Sequence, residues 1–323
     1  MARSEELSVR TSDGSLTGTL TLPDGPPPAD RAGRYPNALL LPSWLPRGRD
    51  GDWDRGGHPT WYAPGAGESG PLARLAAALA ARSVASLRCD PRGCGTSAGA
   101  WEAVPLFTKV DDARDMLAAM RSHGALDLRR TGIVGHGEGA TIALAVAVAD
   151  PAVGALTLIG PSARSWRDVL RRGVAERARH GTDRDHPIVA ALDRWSEDII
   201  ERAERHEPAF ELSLPDGEVV RLELAGVDQA IHTPGLALAA MLHRSVSLVH
   251  GAEDRWSHPD ESALLSAGLG GGGNRPTRRI LPVAGHDLAE ASDEAIAEVA
   301  DDLAVRLLPR DLPPVLVAIE GMG

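Results

Sequence analysis

Apolar positions in this chain fall into short strand-like runs separated by amphipathic or alanine-rich stretches. Leu7 to Arg10 and Ser15 to Leu22 alternate around Ser12-Asp13-Gly14, which predicts an antiparallel pair joined by a tight turn. Asn37 to Pro42 is short and largely apolar, as suits a strand buried on both faces. Pro71 to Arg82 reads as an amphipathic helix with proline in its first turn, and Ser83 to Cys89 as the next buried strand. Asp111 to Ser122 is helical. A β-branched run from Thr131 then ends in Gly135-His136-Gly137-Glu138-Gly139 and passes into an alanine-rich helix, followed by the strand Val153 to Ile159. Strands alternating with helices predict an α/β fold with a mostly parallel, doubly wound sheet.

The rhythm breaks at about residue 161. Arg164 to Arg179 and Pro187 to His206 read as charged helices, and Phe210 to Leu224 alternates around Pro215-Asp216-Gly217 like a hairpin. Residues 161–243 are therefore expected to form an inserted lid over a core made of residues 1–160 and 244–310. Ser245 to His250, a helix from Pro259 to Gly268, a Gly270-to-Gly273 turn, the strand Arg279 to Val283 and a helix from Ser292 to Leu308 complete the core. The tail, 311–323, is partly apolar and receives no assignment. Ser43 to Gly70 is a long polar loop carrying Trp44, Trp53 and Trp61, a length that usually signals function.

Composition narrows the class. With 43% hydrophobic residues the 323-residue chain can bury a large core, and a net charge of −11 without a basic stripe argues against nucleic acid. Met1 to Arg10 lacks the apolar region of a secretory signal, and no run approaches the ~18 apolar residues of a membrane span, so a cytoplasmic protein is expected. Cys89 and Cys94 form no C-x-x-C and read as core thiols, and Lys109 is the only lysine. Seven tryptophans against two Phe and two Tyr is an unusual balance.

Strand, sharp turn and helix are the setting of the G-x-S-x-G nucleophile elbow, yet Gly137 stands where the serine would be. Four separated motifs carry a wider likeness: Asp90-Pro-Arg-Gly-Cys-Gly-Thr-Ser97, Gly135 to Gly139, His250-Gly-Ala-Glu-Asp254 and Ala284-Gly-His-Asp287. In this order, on these strand ends, the chain resembles the α/β-hydrolase superfamily over about residues 7–160 and 244–308. The resemblance implies His286 as base and Asp254 as the acid that orients it, with Glu253 as rival acid. It also implies an oxyanion hole from the backbone N–H groups of Glu138 and Trp44. Pro42-Ser43-Trp44 departs from the family's usual H-G-x, which bears on the assignment of Trp44. Gly137 cannot carry an acyl group, and glycine occupies the strained bend of an elbow without penalty.

Two other chemistries are weighed. Gly135 to Ala140 also fits G-x-G-x-x-G/A, but strands precede it and the next strand ends Ile159-Gly160-Pro161 without the expected acid, so no dinucleotide and no other cofactor is expected. His136, His250, His258 and His286 have no close metal-ligand spacing. Trp44, Trp101 and Trp256 follow three strands at their carboxyl ends, where open α/β sheets bind ligands, and Trp166 and Trp195 lie in the insertion. Together they suggest an apolar or aromatic small-molecule pocket under a lid. The insertion and the tail each offer a surface for a homodimer. Three functions remain open: an enzyme using the His286–Asp254 base without a covalent serine intermediate, a serine hydrolase of ester, thioester or peptide bonds in an inactive Ser→Gly form, and a non-catalytic ligand-binding pseudoenzyme.

Overall fold

The computed structural model describes residues 2–27, 33–54, 56–57, 70–180, 187–213, 217, 219–271 and 275–307. Trp61, most of the 215–217 turn, part of the 270–273 turn and the 311–323 tail lie outside these residues. The centre is an eight-stranded sheet among the described residues. β1 (Arg3–Thr11) and β2 (Gly14–Leu22) form the hairpin, and β2 also runs antiparallel to β4 (Ala85–Cys89). From β4 onward the pairing is parallel through β3 (Tyr35–Leu41), β5 (Leu126–His136), β6 (Val153–Ile159), β9 (Ser245–Gly251) and β10 (Thr277–Leu281). This is the mostly parallel, doubly wound α/β-hydrolase sheet.

Burial explains why the strands read as continuous apolar runs: every residue of β3 and β4 is buried, as parallel strands covered on both faces must be. Leu72, Leu75 and Leu79 of α1 (Pro71–Ala80) and Ile296, Val299 and Leu303 of α9 (Asp293–Leu307) close one face. The other face is closed by Leu106, Met116 and Leu117 of α2 (Leu106–Ser122), Ile142 and Leu144 of α3 (Glu138–Ala149), and Leu265 and Leu269 of α8 (Asp260–Gly271). α2 begins five residues before the Asp111 that the charge pattern marks. Leu106 is the buried anchor of that first turn, and the following Phe107 is half exposed, which blurs the helical period.

Between β6 and β9 the chain forms α4 (Trp166–His180), α5 (Pro187–Glu204), a two-stranded sheet of β7 (Ala209–Ser213) and β8 (Val219–Glu223), and two helices the pattern did not single out, α6 (Ala225–His232) and α7 (Gly235–Ala240). α4 to α6 and the small sheet share an apolar cluster around Ile199, Ile200, Phe210 and Leu224, which also takes in Leu45, Cys94 and Trp101 from the loops after β3 and β4. α7 packs on α3 and α8, and Ala239 joins the main core. No helix among the described residues is long and apolar enough to cross a membrane.

Candidate active site

The carboxyl ends of β3, β5, β6, β9 and β10 lie side by side, and the turns leaving them converge on one point. Asp254, in the turn after β9, is fully buried. Its Oδ1 accepts the backbone N–H groups of Trp256 (2.8 Å) and Ser257 (2.9 Å), and its Oδ2 lies 2.9 Å from Nδ1 of His286 and 3.2 Å from Nε2 of His250. Burial alone would favour the neutral acid, but His286 and His250 outweigh it and hold the carboxyl well below the usual carboxylate range. The reciprocal holds for His286: burial disfavours its cation, the Asp254 charge favours it, and the ring titrates above the ordinary histidine value. An ionised Asp254 can only accept, so the proton sits on Nδ1 of His286 and the lone pair on Nε2 faces outward.

His136 steadies this ring from behind. Its Nε2–H donates to the His286 carbonyl at 2.8 Å, and burial pushes its pKa down to about 3, so it stays neutral. The next residue, Gly137, forms the bend between β5 and α3 with φ 55° and ψ −116°, a region that L side chains rarely adopt. Its N–H donates to Ile159 at 2.9 Å.

The space above this bend is not empty. The hydroxyl of Ser43, in the loop after β3, lies 3.1 Å from Nε2 of His286. A Cβ built on Gly137 would collide with Ser43 Oγ and stand 2.9 Å from Ser43 Cβ and 3.0 Å from His286 Nε2. A serine that the sequence did not single out thus faces the base from another loop. Ser43 belongs to no motif that marks it as a partner of His286. The signal was present in Pro42-Ser43-Trp44, where the family pattern carries glycine at the position of Ser43.

The Ser43 loop is held by charge and by strain. Arg47 is buried, pairs with Asp287 at 2.9 Å, donates to the Gly51 carbonyl at 2.9 Å and stacks on Trp53 at 4.4 Å. Leu45 takes a positive φ of 73° while buried, a conformation retained only where the surroundings enforce it. His136, His286 and Asp287 bring one potential metal-ligand atom each within 4.8 Å of one another. His286 spends both ring nitrogens on Asp254 and Ser43, Asp287 pairs with Arg47, and His136 gives Nε2 to the His286 carbonyl while its Nδ1 is buried without a hydrogen-bond partner.

A cleft of about 780 Å³, counting its open mouth, lies over this point and is lined by Ser43, Trp44, Gly137, Glu138, Trp166, Trp256 and His286 among others. Trp44 and Trp166 meet edge to face at 4.9 Å. Trp101 lines an adjoining pocket of about 610 Å³ with Trp44, Lys109 and Glu138, where Lys109 Nζ pairs with Glu138 Oε2 at 2.7 Å. Trp195, expected in the pocket, does not line the cleft and instead packs against Phe210 at 5.8 Å, because the face of α5 that carries it turns toward β7. Glu138 opens α3, so its N–H has no acceptor within the helix. Glu253 pairs with Arg255 at 2.7 Å, away from His286.

A family model described as serine aminopeptidase, S33, matches residues 63–203. Among solved structures, the chain is similar to Est1E from Butyrivibrio proteoclasticus with bound ferulic acid: 15% identity, TM-score 0.63, 93% of this chain and 98% of that one. It is similar to the α/β hydrolase GrgF from Penicillium sp. sh18, at 16% identity and TM-score 0.61 over 94% of this chain and 98% of that one. It also resembles Pyrococcus horikoshii acylaminoacyl peptidase, at 13% identity and TM-score 0.61 over 94% of this chain and 41% of that one. No curated protein sequence matches the chain. The chain has the α/β-hydrolase fold, and the serine aminopeptidase-like family model covers its middle part.

Proposed function

We propose that the protein is a hydrolase of small carbonyl compounds with an apolar or aromatic group, in which His286, oriented by Asp254, is the general base. The observation that carries this reading is the His286 ring, held through Nδ1 by the buried Asp254 carboxylate at 2.9 Å, with Nε2 beside the Ser43 hydroxyl at 3.1 Å on a cleft walled by Trp44, Trp166 and Trp256. Such a pair removes a proton from the attacking group and returns it to the leaving group. The N–H groups of Glu138 and Trp44 receive the developing oxyanion, and the N-terminus of α3 adds the positive end of its dipole. Trp166, from the insertion, closes the apolar wall, which gives residues 161–243 the role of a lid.

The family match and the esterase and peptidase structures of the same fold point to the same reaction class. A serine hydrolase inactivated by Ser→Gly is disfavoured by the collision a side chain at 137 would make with Ser43. The test is hydrolysis of a panel of p-nitrophenyl esters by the wild type, His286→Ala and Asp254→Asn proteins. Loss of roughly 10²–10⁴-fold in kcat/KM in His286→Ala supports a general base. Turnover unchanged in that variant, or saturable binding of the esters without turnover by the wild type, overturns it; the second outcome describes a binding protein.

A further inference from the structure

We infer that Ser43 is the nucleophile: the chain keeps a Ser–His–Asp triad, but its serine is on the loop after β3 and not on the elbow. The inference rests on the general-base reading above and names the group that His286 deprotonates. Three observations carry it. Ser43 Oγ, His286 Nε2, His286 Nδ1 and Asp254 Oδ2 form one continuous relay, with steps of 3.1 Å and 2.9 Å at either side of the ring. Ser43 Oγ fills the place that a side chain on Gly137 would take. The hydroxyl also lies on the wall of the cleft, beside Gly137 and Glu138, where a carbonyl carbon can reach it.

The exchange preserves the rest of the machinery. In an elbow enzyme the residue after the nucleophile supplies one oxyanion N–H and the loop after β3 supplies the other. Here Trp44 follows the nucleophile and Glu138 follows the vacated elbow, so the same two amides remain, with their relation to the serine exchanged.

The chemistry balances without any further reagent. His286 Nε2 accepts the Ser43 hydroxyl proton as Oγ bonds to the substrate carbonyl carbon, and the carbonyl π pair moves onto oxygen. When that oxyanion collapses, the bond to the leaving group breaks and His286 returns the proton to it, leaving an ester of Ser43. Water then gives a proton to His286 and bonds to the acyl carbon. Oγ leaves with the proton, and the sum is ester plus water to acid plus alcohol.

The experiment uses the full chain, a fluorophosphonate probe and p-nitrophenyl butyrate, with peptide mapping by mass spectrometry. The probe forms an Oγ–P bond with loss of fluoride. Phosphonylation at Ser43, dependent on His286, and a fall of roughly a thousandfold or more in ester turnover in Ser43→Ala are expected. In the double variant Ser43→Gly/Gly137→Ser the label is expected to move to residue 137, as it must if the two positions share one place beside His286; a wild-type protein that takes no label at Ser43 overturns the inference. Circular dichroism on each variant shows that the fold is kept. Ester turnover unchanged in Ser43→Ala but lost in His286→Ala overturns the nucleophile while leaving the general base intact. Turnover unchanged in His286→Ala removes both.

Discussion

Returning serine to position 137 tests how tightly the bend and the β3 loop are coupled. Gly137→Ser alone meets two obstacles. The backbone, at φ 55° and ψ −116°, is one that a residue with a Cβ enters at a cost of about 1–3 kcal/mol. The new side chain also runs into Ser43, and overpacking of that kind adds about 1–3 kcal/mol. Ser43→Gly removes the obstruction and by itself loses one hydrogen bond to His286, worth about 0.5–1.5 kcal/mol. Strain survives in the double variant but the collision does not, so the two substitutions should be non-additive by about 1–3 kcal/mol, with the pair more stable than the sum. Urea unfolding of the four proteins at equal slope measures this coupling directly. Additivity within about 0.5 kcal/mol would mean that the two positions do not share one volume, and the packing argument would fall.

Three further outcomes follow from the same geometry. His286 must be neutral to act and its pKa is raised by Asp254, so kcat/KM should fall as pH drops through a value above the ordinary histidine pKa of about 6.5; a profile flat from pH 5 to 9 contradicts it. The sign for stability is opposite for the two partners. The raised His286 stabilises below its unfolded pKa and loses that contribution as pH rises through its folded value, whereas the depressed Asp254 stabilises above about 3.9 and loses it as pH falls toward its folded value. Arg47→Ala should cost about 1–3 kcal/mol in denaturant midpoints, because it strips the partner from a partly covered Asp287 and loosens the Ser43 loop; an unchanged midpoint would show that the pair is only decorative. Burial pushes the Cys89 and Cys94 thiols up to about 12, so iodoacetamide at pH 8 should modify neither in the folded protein and both in urea, as mass spectrometry would record.

The sequence carries the sheet, because parallel strands buried on both faces leave unbroken apolar runs, as in β3 and β4, that no helix period imitates. It also carries the pairing of Asp254 with His286, since each follows a strand in a motif of fixed order. What it carries poorly is set by side-chain direction. Nothing in the residue types around Trp195 distinguishes a tryptophan aimed at the cleft from one packed on Phe210. The helices α6 and α7 are short and weakly patterned, so periodicity does not raise them above the surrounding loop. Ser43 escapes for a different reason. A hydroxyl is common, and its proximity to His286 arises from a contact 243 residues apart that no local pattern encodes.

That contact can nevertheless be traced to backbone packing. A Cβ on Gly139 would lie 2.6 Å from the carbonyl oxygens of both Leu41 and Pro42, so only glycine lets the first turn of α3 press against the end of β3. Pro42 directly precedes Ser43, and the height of the serine above the bend is thus set by two main chains in contact and not by a flexible side chain. His286 reaches the same point from β10, its ring held by Asp254 on one nitrogen and its carbonyl by His136. The hydroxyl and the imidazole are therefore each fixed by an independent rigid element, which is the condition for preorganised nucleophilic attack. Either loop can carry the oxygen, provided the other presents nothing larger than hydrogen. On this physical ground a glycine at the elbow and a serine at position 43 form a single feature, in which neither residue is interpretable alone.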